Sequence, residues 1–581
     1  MAVGHRRLSI LDLSIEGHQP MRSQNGRYVM VFNGEIYNFA PIRRDLEELG
    51  HTFRGHSDTE VMLAAFVAWG LVPAVQRMAG QFAFALWDRE LRRLHLVRDR
   101  FGEKPLYYGL LGSTLLFGSE LKALRARPGF SAEIDRDALA LYARHGYVPA
   151  PLSIFRGIAK LLPGHVASVD EAGNTSVAPY WRLHDVVEAG RRDPLTGSDE
   201  ELISALEGRL SDTIGEEMVA DVPLGALLSG GIDSTSIVAL MQRRAPRPVH
   251  TFTIGFDQPG FNEAGHAKAV AQHLGTVHQE LYLRADQARD VIPLLPAIYD
   301  EPFADSSQIP TFLVSQMARR HVTVALSGDG GDEMFGGYSR YAQARDLWGS
   351  AARVPRLLRS VAGALLAPVA AHTGRLDVTS QLLRQPTELA AYELLMSQWN
   401  RPAGLVLGGN EPAALKLANV QVPHGLGFVE RMMYVDSLNY LPDDILVKVD
   451  RASMAVSLET RAPLLDHRVA ELAWRLPFSA KVRAGTSKWA LREIVYRHVP
   501  RDLVDRPKAG FAVPLADWIR GPLRQWARAL TEPARLRQEG FFDPVVVSQL
   551  HDRVEAGQQH RVHQLWVILM FQAWLAAIEP T

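Results

Sequence analysis

Leu227-Leu-Ser-Gly-Gly-Ile-Asp-Ser-Thr-Ser-Ile-Val-Ala-Leu240 carries the reading of the fold. Two apolar residues close a strand, Ser-Gly-Gly turns the chain, and Asp233-Ser234 open a helix bearing Ile237, Val238 and Leu240. Gly230 and Gly231 let the backbone approach an anion closely. Ser229, Ser234 and Thr235 add hydroxyl donors, and the helix N-terminus supplies free N–H groups at the positive end of its dipole. A carboxylate in such a nest repels phosphate unless a divalent cation lies between them, so Asp233 points to Mg²⁺. An ordinary Gly-rich turn would account for Ser-Gly-Gly alone; the full string after an apolar strand is far more specific. The alternative phosphate loop, G-x-x-x-x-G-K-[ST], is absent, because Gly-Lys never occurs.

Outward from this loop, strands alternate with helices. Strand 224–228 precedes helix 234–243, strand 249–255 precedes helix 263–274, which Gly275 ends, and helix 310–320 leads into strand Val322–Leu326. Such alternation predicts an α/β unit with a parallel sheet and sites at the strands' carboxyl ends. Leu326 runs into Ser327-Gly-Asp-Gly-Gly-Asp-Glu-Met-Phe-Gly-Gly-Tyr338, a second Ser-Gly loop with Asp329, Asp332 and Glu333 crowded among glycines. Carboxylates so close repel one another unless a cation, an ammonium or a shared proton intervenes. Two such loops at neighbouring strand ends would clasp one nucleotide from both sides.

Residues 1–125 read differently. Tyr28–Phe32 is a strand followed by a turn at Asn33-Gly34-Glu35, residues 41–50 and 59–69 are helices, and 81–87 with 94–97 and 106–108 with 114–117 are strand pairs. Consecutive strands with helices outside predict a sheet sandwich covered by helices, an α+β N-terminal part. Residues 183–200 read as a polar linker ending at a near capping box, Ser198 to Glu201. Beyond 340 the chain reads as mostly helical.

The 581 residues exceed what one core holds, so two or more domains are expected. Hydrophobic residues at 47% and charged residues at 22% fit a soluble globular protein, and a net charge of −1 makes no case for nucleic acid or an anionic membrane. With no cysteine, disulfides, thiolate metal sites and a cysteine nucleophile are excluded from the chain as given. No basic-then-apolar leader is present, and the apolar stretches near 360–370 and 566–578 are too short or interrupted to span a bilayer, so a cytoplasmic enzyme is the expectation.

Two basic residues of the C-terminal half stand out. Lys488 lies at a helix start, where the dipole disfavours a cation, and is more readily explained by an anion such as departing pyrophosphate. Arg461, between Glu459 and Asp466, reads equally as a structural ion pair or as a site residue.

The Leu227–Leu240 string resembles the pyrophosphate-binding loop of N-type ATP pyrophosphatases. The chain as a whole resembles the glutamine-dependent asparagine synthetases (class B amidotransferases) through Gly4-His-Arg-Arg-Leu-Ser-Ile10, Asn33-Gly-Glu-Ile-Tyr-Asn38, Gly55-His-Ser-Asp-Thr-Glu60, both Ser-Gly loops and Ser457-Leu-Glu-Thr-Arg-Ala-Pro-Leu-Leu-Asp466. The resemblance implies an N-terminal-nucleophile αββα sandwich, here 1–182 and lacking its first strands. An ATP pyrophosphatase (adenine nucleotide alpha hydrolase-like) domain over 200–581 would follow it. It implies that glutamine is hydrolysed in the first and that ammonia travels inward to β-aspartyl-AMP in the second, giving asparagine, AMP and pyrophosphate. Carried over by position, Arg7 would hold the glutamine α-carboxylate, Asn33 and the Gly34 N–H would form the oxyanion hole, and Glu35 and Asp58 would bind the amide and amino ends. Leu228, Ser229, Gly230, Gly231, Asp233, Ser234, Ile254, Ser327 and Gly328 would bind ATP. Asp233 and Asp332 would hold Mg²⁺, and Lys488 would meet pyrophosphate. Asp329 stands where the best-known members have Glu, in a catalytic position. The family's N-terminal cysteine is missing from Met1-Ala-Val-Gly-His-Arg, so the expectation is a start downstream of the true one, or else an ammonia-only synthetase. Other readings are a related ligase acting on another carboxylate in polysaccharide or natural-product biosynthesis, and a silent partner that would have eroded loops. A homodimer is compatible with all of these.

Overall fold

The computed structural model describes residues 2–256, 264–370, 374–506 and 513–578. The N-terminal strands are β1 (Met21–Arg22), β2 (Tyr28–Ile36), β3 (Gly80–Asp88), β4 (Arg93–Arg98), β5 (Tyr107–Leu111), β6 (Thr114–Gly118), β7 (Ile158–Lys160), β8 (His165–Val169) and β9 (Thr175–Pro179). They form two antiparallel sheets, ordered β1-β2-β3-β4-β8-β9 and β6-β5-β7. Because successive side chains of a strand point to opposite faces, β2, β3, β4 and β8 of the larger sheet each serve two cores. Met30, Phe32, Phe82, Phe84 and Leu86 pack with Ile42, Leu46, Val61, Met62 and Phe66 of helices Phe39–Glu48 and Asp58–Trp69. The intervening Val31, Ala83 and Ala85 pack with Leu106, Leu161 and Tyr108 on the smaller sheet's side. Tyr107, Leu116 and Ile158 join a further core with Leu121, Leu124, Leu139 and Tyr142 from the helices beyond. The layers are therefore helix, sheet, sheet, helix, as the sequence predicts.

Expectations for the first 200 residues need correction in three places. Asn33-Gly34-Glu35 is not a turn: β2 continues through it, paired to Ala83, Phe82 and Gln81 of β3. Asn-Gly is a strong turn signal, but Gly34 (φ 146°) is needed here for close approach, since a Cβ would lie 2.0 Å from the Gln81 carbonyl oxygen. The first helix starts at Phe39 rather than Pro41. Residues 183–192 are not linker but a helix, with Leu183 and Val187 buried, and Gly190 so close to Trp474 that a Cβ would meet its carbonyl oxygen at 2.6 Å. The capping box at Ser198 and Glu201 does open helix Asp199–Glu217.

The second half is built on five parallel strands, β10 (Leu224–Leu227), β11 (His250–Phe256), β12 (Val277–Leu283), β13 (Val324–Leu326) and β14 (Glu459–Arg461), in the order β12-β11-β10-β13-β14. The chain winds from β10 to β11 and β12 on one side, then crosses to β13 and β14 on the other. The switch point lies between β10 and β13, whose carboxyl ends carry the two Ser-Gly loops, and this is where open parallel sheets bind ligands. The helix after β11 is described from Ala264 to Leu274; residue 263 of the expected range lies outside the described residues. Helix Gln559–Ile578 has the length and apolarity to cross a membrane, but most of it is buried in the protein, with Trp566 and Trp574 in the core.

Burial pushes the ammonium of Lys481, over the Trp474 ring at 4.1 Å, down from 10.5 to about 8, with Glu430 opposing. A depressed amine contributes its full stability only above the unfolded value and loses it as pH falls through about 8. At pH 7 the charge costs about 3 kcal/mol, less about 1 for the ring contact. Lys481→Met is therefore expected to stabilise the fold by about 2 kcal/mol at pH 7, a gain that fades toward pH 10.5 in pH-resolved thermal unfolding.

Candidate active site

The first loop closes on itself through its own hydrogen bonds. Ser229 Oγ lies 3.0 Å from Ser234 Oγ, the Gly231 N–H donates to Ser229 Oγ at 3.2 Å, and Leu228 is tied to β11 by its N–H to the Phe252 carbonyl. Helix Ile232–Arg244 then begins, its first turn carrying Asp233 with no side-chain cap on its N–H groups. Gly230 has positive φ and packs against Ala267, where a Cβ would meet the backbone nitrogen at 2.8 Å. The nest is thus rigid, with backbone N–H groups and two hydroxyls at a helix N-terminus, the arrangement that suits phosphate oxygens. Ile254 is buried in β11 beside it.

The second loop presses directly on the first. A Cβ on Gly328 would lie 2.7 Å from the Ser234 nitrogen, and one on Gly331 would lie 2.5 Å from Asp233 Oδ1. Ser327 donates its N–H to the Arg461 carbonyl and its hydroxyl to Asp329 at 2.8 Å. Asp332 and Glu333 are not in open loop but in the short helix Gly331–Phe335, which turns them apart. Asp332 faces the first loop. Glu333 is buried and accepts from the Tyr338 hydroxyl, and desolvation, reinforced by Asp332, lifts its carboxyl to about 7.

Lys488 joins the loops. Its ammonium pairs with Asp233 and, at 2.7 Å, with Asp332. Burial disfavours this charge, yet the two carboxylates outweigh burial and raise the ammonium well above its ordinary value. Its backbone is left-handed (φ 56°) at the cap of helix Trp489–Tyr496, a conformation that costs a non-glycine residue about 1 kcal/mol. Gly337 leaves room for this lysine, since a Cβ there would fall 1.8 Å from Lys488 Cε. Gly337→Ala is expected to push the ammonium off its carboxylates and lower turnover by about tenfold or more while Tm changes little, because the colliding group is a flexible stem rather than backbone. Steady-state kinetics beside thermal unfolding check this.

Among the described residues no set of three or more His, Cys, Asp or Glu side chains gathers as a metal cage. Mg²⁺ is ordinarily held by one or two carboxylates with phosphate oxygens and water, and Asp233 and Asp332, which meet at Lys488 beside the first loop, would fit that donor set.

Of the residues expected to bind glutamine, Asn33, Gly34 and Glu35 lie on β2, Asp58 on the second helix after it, and Arg7 on the segment before β1. Asp58 sits at the N-terminus of helix Asp58–Trp69 and accepts from the Ile36 N–H at 2.9 Å; burial lifts its carboxyl to about 6 against those hydrogen bonds. Glu35 is buried, and its acid is pushed well above the usual range by desolvation, then by Asp58 and Glu459, with Arg461 and Arg7 opposing. Arg7 is anchored to the Leu11 carbonyl at 2.5 Å. Asn33 Nδ2 donates to Ser119 Oγ, whose backbone carbonyl accepts from Arg451 of the second half.

Arg461, read two ways in the sequence, is placed by the structure, and beside it lie buried ion pairs that the sequence did not single out. Arg461 is 1% exposed, pairs with Glu459 at 2.8 Å and donates to the Glu217 and Val219 carbonyls; Asp466 pairs with Arg468 instead. Of its two readings the structural ion pair is thus made, with Glu459 alone. Lys448 pairs with Asp305 at 2.8 Å, and Asp444 and Asp329 also bear on its charge. The buried pair Lys104–Asp450, 3.0 Å, crosses between the two halves. Beside it a cavity of about 10 Å³, one small molecule's worth, is lined by Gln81, Lys104, Ser327, Asp329 and Arg461. Gln81 is the cross-strand partner of Glu35, so this cavity lies between the two sites.

Residues 205–576 match the asparagine synthase family, and residues 1–181 match a glutamine amidotransferase domain. A putative glutamine-hydrolyzing asparagine synthetase of Mycobacterium tuberculosis is 36% identical over 99% of this chain and 88% of its own length. Glutamine-hydrolyzing asparagine synthetase 1 of Bacillus subtilis is 32% identical over 98% and 89%. An amidase of Penicillium rubens is 26% identical over 94% and 85%.

Proposed function

The chain belongs to the asparagine synthase family, and from that premise we propose that its paired loops activate the β-carboxylate of aspartate with ATP for amidation by ammonia. The observation that carries this reading is the clasp of Asp233, Lys488 and Asp332 at the switch point between β10 and β13. A carboxylate oxygen attacks the α-phosphorus, pyrophosphate leaves, ammonia attacks the acyl carbon, and AMP departs with the carboxylate oxygen. Ser229, Ser234 and the N–H groups around Gly231 cradle phosphate oxygens, Leu228, Ile254, Ser327 and Gly328 line the nucleotide, and Lys488 meets the leaving pyrophosphate's charge. Asp233 and Asp332 would hold Mg²⁺, which when bound neutralises phosphate charge. Asp329 lines the small cavity and takes the proton that ammonia sheds on attack.

Residues 1–182 form the glutamine unit and 200–581 the synthetase unit in this reading. Arg7, Asn33, Gly34, Glu35 and Asp58 form the glutamine pocket, and the cavity between Gln81 and Asp329 belongs to the route of ammonia. Gln81 Nε2 has no hydrogen-bond partner among the described residues, which suits a channel wall that passes a small polar molecule.

The test is pyrophosphate release by the 581-residue chain with Mg-ATP and aspartate, given ammonium or glutamine. Release is expected with ammonium and not with glutamine, because the chain holds no thiol to attack the amide. Silence with both would overturn aspartate as acceptor. One observation favours a second acceptor class. A cavity of about 280 Å³ lined by His145, Asp305, Arg340, Tyr440 and Asp444 adjoins the Lys448–Asp305 pair and has room for a carboxylate bulkier than aspartate. A panel of carboxylates in the same assay separates the two.

A further inference from the structure

Between Asp346 and Asp377 the chain carries no acidic residue, only Arg353, Arg356, Arg359 and Arg375 among its permanently charged side chains. This segment folds into helices Arg356–Ala370 and Gly374–Leu383, which meet where Ser380 Oγ donates to the Gly363 carbonyl and a Cβ on Gly363 would lie 2.7 Å from the Ser380 carbonyl oxygen. That close contact uses the small face of the first helix. Its large apolar residues point the other way: Leu357 is 82% exposed, Leu358 64%, Val361 58% and Leu365 74%. Leu357, Val361 and Leu365 recur every four residues and so form one stripe. Arg353 and Arg356 are exposed beside its start, whereas Arg359 is buried against Trp348.

An apolar stripe of this kind is rarely left in water. A second copy of the chain fits it poorly, because a two-fold contact would bring both sets of arginines together with no acid in the segment to pair with them. We propose that this helix lies on an anionic lipid surface, with Leu357, Val361 and Leu365 among the acyl chains and Arg353 and Arg356 at the phosphate headgroups. At 15 residues the helix is about 22 Å long, too short to cross a bilayer, so the contact is in the interface plane. The whole-chain charge of −1 conceals it, since the acids that balance these arginines lie elsewhere.

The full chain is floated with vesicles of phosphatidylcholine alone or mixed with phosphatidylglycerol, at low and high salt. Binding is expected only to the anionic vesicles and is weakened by salt. Leu357→Ser/Val361→Ser/Leu365→Ser is expected to lower the bound fraction about tenfold or more, and Arg353→Gln/Arg356→Gln to flatten the salt dependence. Both variants should keep the parent's Tm and pyrophosphate release, as none of these residues touches the loops. The proposal is overturned if the parent does not float, if the serine variant floats equally, or if the parent sediments as a dimer that the serine changes dissolve without any vesicle binding. Capture of an acidic protein in place of lipid would also overturn it.

Discussion

Asp233→Asn is expected to lower pyrophosphate release with ammonium and aspartate by about a hundredfold or more, the largest catalytic loss of any single substitution in the loops. Its carboxylate opens the helix after the first loop and shares Lys488 with Asp332. The amide cannot neutralise the lysine or ligate Mg²⁺ as a carboxylate does, so the lysine is left to Asp332 alone. Lys488→Met should fall as far by the opposite route, because Asp233 and Asp332 then repel across a site that must accept pyrophosphate's charge. Thermal unfolding with and without Mg-ATP separates binding from folding: both variants should lose most of the ligand-induced rise in Tm. A variant that keeps that rise but loses turnover would place Asp233 in chemistry alone.

The second large effect is on stability. Arg461→Met is expected to cost about 3–5 kcal/mol, because it strips a fully buried ion pair of one partner. The guanidinium pairs with Glu459, holds the Glu217 and Val219 carbonyls, and lies 5.3 Å from the Tyr37 ring centroid. It also opposes the buried acids of Glu35 and Glu459, so its loss leaves carboxylates in low dielectric on both sides of the junction between the halves. Arg461→Met/Glu459→Gln should recover part of the loss, and the coupling from the double-mutant cycle measures the pair. Arg461→Lys keeps the charge but not the fork that reaches two carbonyls, and should fall between parent and Met.

The parts of the site that could be read from the sequence are those whose chemistry is contiguous along it. Ser229, Gly230, Gly231, Asp233 and Ser234 form a nest by local geometry alone, and Ser327–Asp332 repeat the device at the next strand. Lys488 was legible through a conflict, a cation where the dipole opposes one. Contacts made only by tertiary folding were not: Lys448 and Asp305 are 143 residues apart, and Lys104 and Asp450 are 346 apart. Glu333 reads as part of the acidic loop, yet Tyr338, five residues on, draws it away. The same limit holds for the fold. Asn33-Gly34 has turn chemistry, but the strand continues because β3 lies close enough to need glycine. The helix at 183–192 has Arg, Asp and Gly like a linker, and only the buried pair Leu183 and Val187 marks its apolar face.

Activation of aspartate as an acyl-adenylate in the clasp between the two loops leaves an isotopic signature. The direct measurement is the fate of ¹⁸O from aspartate labelled in its β-carboxylate, with Mg-ATP and ammonium. AMP carrying ¹⁸O in step with asparagine formed is expected, with unlabelled pyrophosphate. Unlabelled AMP, or label in inorganic phosphate, would contradict it.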